Sequence, residues 1–164
     1  MALEMRTFGD PILKSRAAPV KSFDESLARL ADEMLSTMRE QEGVGLAANQ
    51  VGRLKRIFVA GTEDEEYVIV NPEIESSSED TVTDAEGCLS IPGISVEVER
   101  PASVSVSGQS VTGEPLRIEA AGLLARVMQH EIDHLNGVLI LDRTDRESRK
   151  AAMRELRERL LASQ

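Results

Sequence analysis

Residues 129–137 read QHEIDHLNG, and this stretch decides how the fold of the chain is interpreted. Apolar residues recur around it at helical spacing, so we predict a largely buried helix over about 121–136. His130 and His134 lie one turn apart on the same face of such a helix, and both imidazoles can therefore reach a single metal ion. Glu131 lies beside them and is available as a base rather than as a ligand.

Two satisfied histidines on an ordinary helix are the alternative interpretation of this HExxH pattern, and a small buried hydrophobe is the alternative role for Cys88, the only cysteine. The chain has no other histidine, and the apolar residues around these two direct them inward, where unpaired polar groups are costly. Cys88 supplies a third ligand, and a catalytic metal needs three protein ligands and one open position. We therefore predict a hydrolase whose metal is held by Cys88, His130 and His134, with Glu131 as acid and base on a metal-activated water.

Helical patterns also occur near both ends of the chain. We predict an N-terminal helix over 24–41, because Ser22 and Glu25 have capping-box spacing and Gly43 can end the helix. We predict a C-terminal helix over 146–161, with a mostly charged surface. Its narrow apolar stripe comprises Met153, Leu156 and Leu160.

The middle of the chain has the alternating pattern of half-buried strands. Glycines and prolines separate these segments at spacings that suit antiparallel pairing. The polar, serine-rich residues 75–84 are predicted as a surface loop. The fold class is therefore α+β for a single domain, 1–164: antiparallel strands packed around a buried helix carrying HExxH, with an N-terminal helix and a C-terminal helix. The predicted strands are 56–60, 67–70, 94–98, 103–107 and 116–120.

Composition and charge limit the function. No apolar run approaches the roughly 18 residues that a membrane span needs, and the first residues do not read as a signal peptide. A lone cysteine in such a chain indicates a reducing cytoplasm. The net charge of −10 argues against a general nucleic-acid binder. Residues 143–164 differ, because seven basic and four acidic residues give this segment +3 and leave −13 on the remainder.

Residues 43–50 read GVGLAANQ and form a third element of interest. Two glycines separated by one residue let a backbone pass close to a ligand, and Gln50 places an amide donor nearby. A tight connection from helix to strand is the alternative interpretation. The stretch is not a dinucleotide-binding fingerprint, because the third glycine is absent and a helix precedes it where a strand is required.

Three motifs in the same order make the chain similar to the peptide deformylases, which show GxGLAAxQ, EGCLS and QHExDHLxG. They stand here at 43–50, 86–90 and 129–137, and residues 9–13 and 137–139 resemble the family as well. The resemblance thus covers nearly the whole chain. It implies removal of the formyl group from N-formylmethionyl peptides, the newly made polypeptides of bacterial type.

The resemblance also implies roles for single residues. Glu131 is the general acid and base, Gln50 and the backbone N–H of Leu89 stabilise the oxyanion, and Gly45 lines the substrate strand. One divalent metal is implied per chain, typically Fe²⁺, with Ni²⁺, Co²⁺ or Zn²⁺ accepted. The implied metal ligands are Cys88, His130 and His134.

Two positions depart from the family pattern. Asn49 stands where the family usually has Pro or Thr, a change that we expect to be tolerated. Ser95 stands where many members have an arginine that contacts the peptide, so that contact is in doubt here. A methionine side chain needs an apolar slot beside the metal, and we predict Val44 and Val127 as its walls, with ordinary core packing as the alternative.

Two other functions are open on the sequence. A zincin-like protease also uses HExxH, but Cys88 as the third ligand, and the lack of a later Glu or His in that role, argue against it. A non-catalytic metal-binding or ribosome-associated domain is the second alternative, and the presence of Glu131 and Gln50 counts against it.

The basic C-terminal helix suggests a partner. We predict that it docks the enzyme on the ribosome, since the rest of the chain is strongly acidic. A solvated helix packed on its apolar stripe is the alternative. No membrane and no other nucleic-acid partner are predicted. The docking residues would be Arg149, Arg154, Arg157 and Arg159.

Overall fold

The structure, a computed structural model that describes residues 2–162, has the α+β class predicted from the sequence. Its strands are β1 Gly45–Ala47, β2 Ile57–Gly61, β3 Glu66–Ser77, β4 Thr81–Cys88, β5 Ile91–Pro101, β6 Ser103–Gln109 and β7 Pro115–Ala121. Its α-helices are α1 Glu25–Glu40, α2 Gly122–Leu135, α3 Ile140–Arg143 and α4 Arg146–Ala162. Short 3-10 helices span Pro11–Lys14 and Ala48–Val51.

The strands pair antiparallel in two sheets. Strands β1, β2, β3, β6 and β7 form a five-stranded sheet in that order, so β1 is an edge strand. Strands β4 and β5 form a separate two-stranded sheet. Helix α2, on which the HExxH residues lie, contacts strands of both sheets. The candidate site therefore lies where two sheets and one buried helix meet.

Strand β2 separates two hydrophobic clusters because its side chains alternate between the two faces of the sheet. Ile57 and Val59 belong to the cluster that includes the apolar face of α1, whereas Phe58 and Ala60 belong to the cluster around α2. A third cluster joins β5 to α3 and α4. Burying each large apolar side chain in these clusters contributes roughly 1.5–3 kcal/mol.

Both ends of α1 differ from the sequence-based expectation. The N-cap is Asp24, whose side chain accepts a hydrogen bond from the Leu27 N–H at 3.1 Å, so Ser22 is not the cap. The helix ends at Glu40, and the left-handed residue after it is Glu42 (φ +56°) rather than Gly43. Gly43 is needed for space instead, since a Cβ there would lie 2.8 Å from the Leu89 side chain.

The prediction of a surface loop over 75–84 is wrong. Strand β3 continues to Ser77 and β4 begins at Thr81, so only three residues connect them. Most side chains along these strand ends are exposed and polar, so no alternation of apolar residues marks them. Backbone pairing with β5 and β6 forms the strands instead. The sequence also missed the short elements β1 and α3.

The predicted helices around the HExxH residues and at the C-terminus are confirmed as α2 and α4. Gly137 follows α2 with φ +75°, as expected of a left-handed C′ residue. In α4, Leu156 is buried against the third cluster, but Leu160 is 61% exposed. The buried stripe of α4 is therefore shorter than predicted. No helix within residues 2–162 is long and apolar enough to cross a membrane.

Two glycines at the ends of α2 give a test of its packing. Gly137→Ala should lower the free energy of unfolding by about 2–4 kcal/mol, because a Cβ would lie 2.5 Å from the Lys14 carbonyl oxygen in addition to the left-handed strain. Gly122→Ala is the control, since Gly122 has φ +60° but open space around it, and should cost only about 1 kcal/mol. Urea unfolding measures both; equal losses would contradict the packing described for Gly137.

Candidate metal centre

The three predicted metal ligands lie together. The sulfur of Cys88 and ring nitrogens of His130 and His134 all lie within 4.8 Å of one another. Cys88 Sγ is 3.4 Å from His134 Nε2, and the Nε2 atoms of the two histidines are 3.1 Å apart. Tetrahedral coordination by two imidazoles and a thiolate implies about 3.3 Å between the nitrogens and about 3.6 Å between sulfur and nitrogen. The donor set therefore fits one metal ion.

Glu86 fixes the orientation of the His130 ring. Its Oε1 lies 3.0 Å from His130 Nδ1, so Nδ1 can donate to the carboxylate while Nε2 keeps its lone pair toward the cluster. His134 Nδ1 is buried, and the described residues offer it no hydrogen-bond partner. A carboxylate behind a ligating histidine is a common outer-shell arrangement in metal sites.

Glu86 belongs to a buried ion network. Arg100 donates to both of its carboxylate oxygens, at 2.6 and 2.9 Å, and also to Asp133 at 2.9 Å. Arg126 donates to Glu86 at 2.5 Å, and Arg143 donates to Asp133 at 2.8 Å. The network ties β4 and β5 to α2. Breaking one member would leave an uncompensated buried charge, which typically costs about 3–5 kcal/mol.

This network is not among the sequence-based predictions, although one residue pattern indicates it. Ile94, Val96 and Val98 alternate along β5 and are buried, and Arg100 is the next residue of the same register. A charged residue at a core position is unusual unless it is paired. That position alone indicated a buried acidic partner for Arg100.

The network and the ligands shift the pKa values of their neighbours. Burial raises the pKa of Glu86, but hydrogen bonds with His130 and Arg100 outweigh burial and lower it to about 2. Burial lowers the pKa of His130, but the charge of Glu131 and hydrogen bonds with Cys88 and Glu86 raise it to about 10. The form of His130 that binds metal is the neutral ring, with Nδ1–H toward Glu86.

Glu131 lies beside the cluster without a partner of its own. Its Oε1 is buried and has no hydrogen-bond partner among the described residues, and Oε2 lies 4.0 Å from His130 Nε2. Burial raises the pKa of Glu131 to about 7, against the lowering effect of the charge on His130. Gly45 leaves room for this carboxylate, because a Cβ there would lie 2.5 Å from Oε2.

Gln50 and Leu89 are the neighbours of Cys88 for which an oxyanion role is predicted; Gln50 contacts its sulfur and Leu89 follows it in the chain. The Gln50 amide nitrogen donates to Ser90 Oγ at 3.2 Å and contacts Cys88 Sγ at 3.6 Å, while its oxygen accepts from the Ala47 N–H. The amide is therefore held with its NH₂ group toward the ligand turn. Within residues 2–162, no hydrogen bond involves the backbone N–H of Leu89.

A cleft of about 490 Å³ opens beside these residues. Val44, 48% exposed, and Val127, 7% exposed, both line it, so the structure brings them to the site. Leu123, Arg126 and Ile94 also line it and were not predicted from the sequence. His134 is buried and is the one predicted site residue that does not line the cleft. The predicted site residues that line it are Val44, Gly45, Gln50, Cys88, Leu89, Val127, His130 and Glu131.

Comparisons of sequence and of structure both find deformylases as similar proteins. The family described as polypeptide deformylase matches residues 2–150. Peptide deformylase 1 of Corynebacterium glutamicum is 53% identical over 158 residues, which cover 94% of each chain. The crystal structure of a peptide deformylase from Legionella pneumophila is similar with a TM-score of 0.92 at 41% identity, over 100% of this chain and 99% of that one. One from Synechococcus elongatus, in complex with actinonin, gives 0.89 at 44% identity, over 93% and 85%.

The role of Glu86 can be tested by Glu86→Gln. Loss of the carboxylate charge should weaken metal binding by about 10–100-fold, because His130 loses its orienting partner. It should also lower the free energy of unfolding by about 3 kcal/mol, because buried Arg100 keeps only Asp133 as a counter-charge and Arg126 loses its ion pair with Glu86. Metal titration and urea unfolding measure the two effects.

Glu99→Gln is the control for that substitution, since Glu99 is exposed and lies on the neighbouring strand β5. It removes the same charge outside the network. If the two variants bind metal with equal affinity, the contact between Glu86 and His130 does not contribute to metal binding.

Proposed function

The chain belongs to the peptide deformylase family. We propose that it catalyses peptide deformylation at a metal held by Cys88, His130 and His134. It is an enzyme that removes the formyl group from the N-terminus of newly made polypeptides. The observation that carries the proposal is the cluster of three ligand atoms within 4.8 Å, at a cleft that Glu131 also lines, with its carboxylate oxygen Oε1 free of hydrogen-bond partners among the described residues.

One divalent metal per chain fits the donor set of a thiolate and two imidazoles, and Fe²⁺ is the ion that we propose, with Ni²⁺, Co²⁺ or Zn²⁺ as substitutes. When bound, the metal supplies Lewis acidity that lowers the pKa of a water molecule from about 16 toward 7. The protein contributes the orientation of the ligands, through Glu86 on His130, and a buried site with restricted access to solvent.

Glu131 is proposed to move the proton. A pKa of about 7, raised by burial, suits a group that must accept a proton and later return it near neutral pH. Its free Oε1 can accept from the attacking water, and the same carboxyl then donates to the leaving amine. Because the carboxylate form is the base, activity should fall as the pH drops below this pKa.

Gln50 and Leu89 are proposed to stabilise the negative charge that develops on the formyl oxygen. The Leu89 N–H has no partner in the described part of the chain, and the long contact of the Gln50 amide with Cys88 Sγ can be exchanged for a better acceptor. One such donor is commonly worth roughly 3 kcal/mol in the transition state.

The cleft also fits the first residue of the substrate. Gly45 has no side chain to stop an extended peptide from approaching β1, and any Cβ there would meet Glu131 and Val127. Val44 and Val127 are proposed to contact the methionine side chain, because both line the cleft from opposite elements, the β1 segment and α2. An apolar, unbranched thioether fits such a slot.

The assignment of base and ligand is tested by two variants. Glu131→Ala should still bind one metal per chain but lose turnover of formyl-Met-Ala by about 10²–10⁴-fold, because it removes only the proton carrier. Cys88→Ala should lose metal affinity, because one of three ligand atoms is removed. Metal content and initial rates are measured on the same preparations. Loss of metal from Glu131→Ala would contradict its role as a base, and a fully metallated, active Cys88→Ala enzyme would exclude Cys88 as a ligand.

We also propose that α4 docks the enzyme on the ribosome, in the cytoplasm where new polypeptides emerge. Five cationic side chains surround Met153 in a surface concavity of about 430 Å³. Arg159 is not among them; it contacts Glu155 and the Gly93 carbonyl instead. The concavity presents positive charge that an RNA backbone would attract. The five residues are Arg146, Arg149, Lys150, Arg154 and Arg157.

Charge reversal tests this docking better than truncation, because Leu156 packs in the core and its removal would unfold the third cluster. Arg154→Glu combined with Arg157→Glu should reduce co-sedimentation with ribosomes on the order of tenfold at low salt, while turnover of a free formyl peptide is unchanged. Lys21→Glu combined with Arg29→Glu makes the same charge change on exposed residues near α1. Equal binding by the two double variants would end the proposal.

A further inference from the structure

The N-terminal segment bridges the two parts of the proposed oxyanion site. The Arg6 N–H donates to the Gln50 carbonyl at 2.7 Å, and the Phe8 N–H donates to the Ser90 carbonyl at 2.8 Å. Gln50 lies in the 3-10 helix after β1, and Ser90 lies in the turn between β4 and β5. Two hydrogen bonds, two residues apart in one segment, thus connect elements that adjoin strands of different sheets.

Apart from the packing of Leu89 on the α1 cluster, which includes Ala48 and Val51, few contacts join these elements directly. Within residues 2–162, the remaining hydrogen bonds between the Gln50 helix and the Cys88–Ser90 turn come from the Gln50 side chain itself, to Cys88 Sγ and Ser90 Oγ. The Gln50 side chain is proposed to exchange these contacts for the formyl oxygen. It then no longer fixes the distance between the Gln50 helix and the Cys88–Ser90 turn. The bonds from Arg6 and Phe8 fix that distance through the backbone.

Side chains of the same segment hold it in place. Leu3 and Met5 pack with Leu89 against the α1 cluster, and Phe8 packs with Cys88 against the third cluster. The Leu3 N–H donates to the buried Thr37 hydroxyl at 2.7 Å. The Arg6 guanidinium lies over Gly52, where a Cβ would be 2.9 Å from it. The segment is therefore anchored on both sides of the ligand turn.

We propose that residues 6–8 form a backbone brace that sets the position of Gln50 relative to the Cys88–Ser90 turn. Arg6 and Phe8 are thus positioning residues, acting through Gln50 and the Leu89 N–H rather than on the substrate. The inference rests on the proposed oxyanion role of these two donors. A small displacement of either donor reduces stabilisation of the transition state more than it reduces binding of the substrate. The brace therefore affects kcat more than KM.

Arg6→Pro tests the brace by removing the N–H that reaches Gln50. In the metal-loaded enzyme, kcat for formyl-Met-Ala-Ser should fall on the order of tenfold with KM little changed. Glu4→Pro is the control, because Glu4 is exposed and its N–H makes no hydrogen bond in the described residues. If Arg6→Pro does not fold, an ester in place of the Met5–Arg6 amide removes the same hydrogen without the proline ring.

A double-mutant cycle separates positioning from ordinary stabilisation. In a Gln50→Ala background the Arg6 change should cost less than about twofold in kcat, because the group it positions is gone. In the zinc-loaded enzyme, the side-chain amide resonances of Gln50 should shift with Arg6→Pro, while those of Gln129, which is bonded to Ala125 and Pro101, should not.

The outcomes are distinct. An Arg6→Pro loss in kcat that is the same in the wild-type and Gln50→Ala backgrounds would exclude the brace, and so would unchanged Gln50 resonances. Neither result would contradict the proposed oxyanion role of Gln50. Wild-type kcat in Gln50→Ala alone would overturn the role of Gln50 and the brace with it.

Discussion

The carboxylate of Glu86 is the point through which the site and the fold are joined. It accepts hydrogen bonds from Arg100 and Arg126 and faces His130 Nδ1, so one buried charge links both strands of the smaller sheet to the HExxH helix. Arg100 extends the link to Asp133, which lies within the same motif. The stability of a buried charge depends on keeping all of its partners. The orientation of His130, a proposed metal ligand, is thereby coupled to the packing of the domain.

The sequence predicted the elements that carry a strong pattern. Helix α2 has a wide apolar arc and a glycine after it, and the motif spacing placed His130 and His134 on one face. Strand β4 was missed, because its exposed polar residues lack alternation and only backbone pairing with β5 defines it. The left-handed residue after α1 was misplaced by one position. Gly43 makes room for the Leu89 side chain and does not have a left-handed backbone angle, and no local sequence rule shows that.

The sequence was enough to predict which residues form the site, but not how they are arranged in space. Cys88 and the two histidines could be chosen because the chain has no others. Their distances, the unpartnered oxygen of Glu131 and the contacts of Gln50 depend on where two sheets meet, which is set by pairs distant in sequence. The bonds from Arg6 and Phe8 are of the same kind, since they are made by backbone groups and leave no trace in residue type.

The central claim is that one sulfur and two imidazole nitrogens hold the metal. X-ray absorption spectroscopy of the zinc-loaded protein tests it directly, because sulfur and nitrogen scatter at separable distances. We expect one sulfur at about 2.3 Å and two imidazole nitrogens at about 2.0–2.1 Å, with water at the open fourth position. A first shell without sulfur, or with a carboxylate of Glu131 in place of an imidazole, would contradict it.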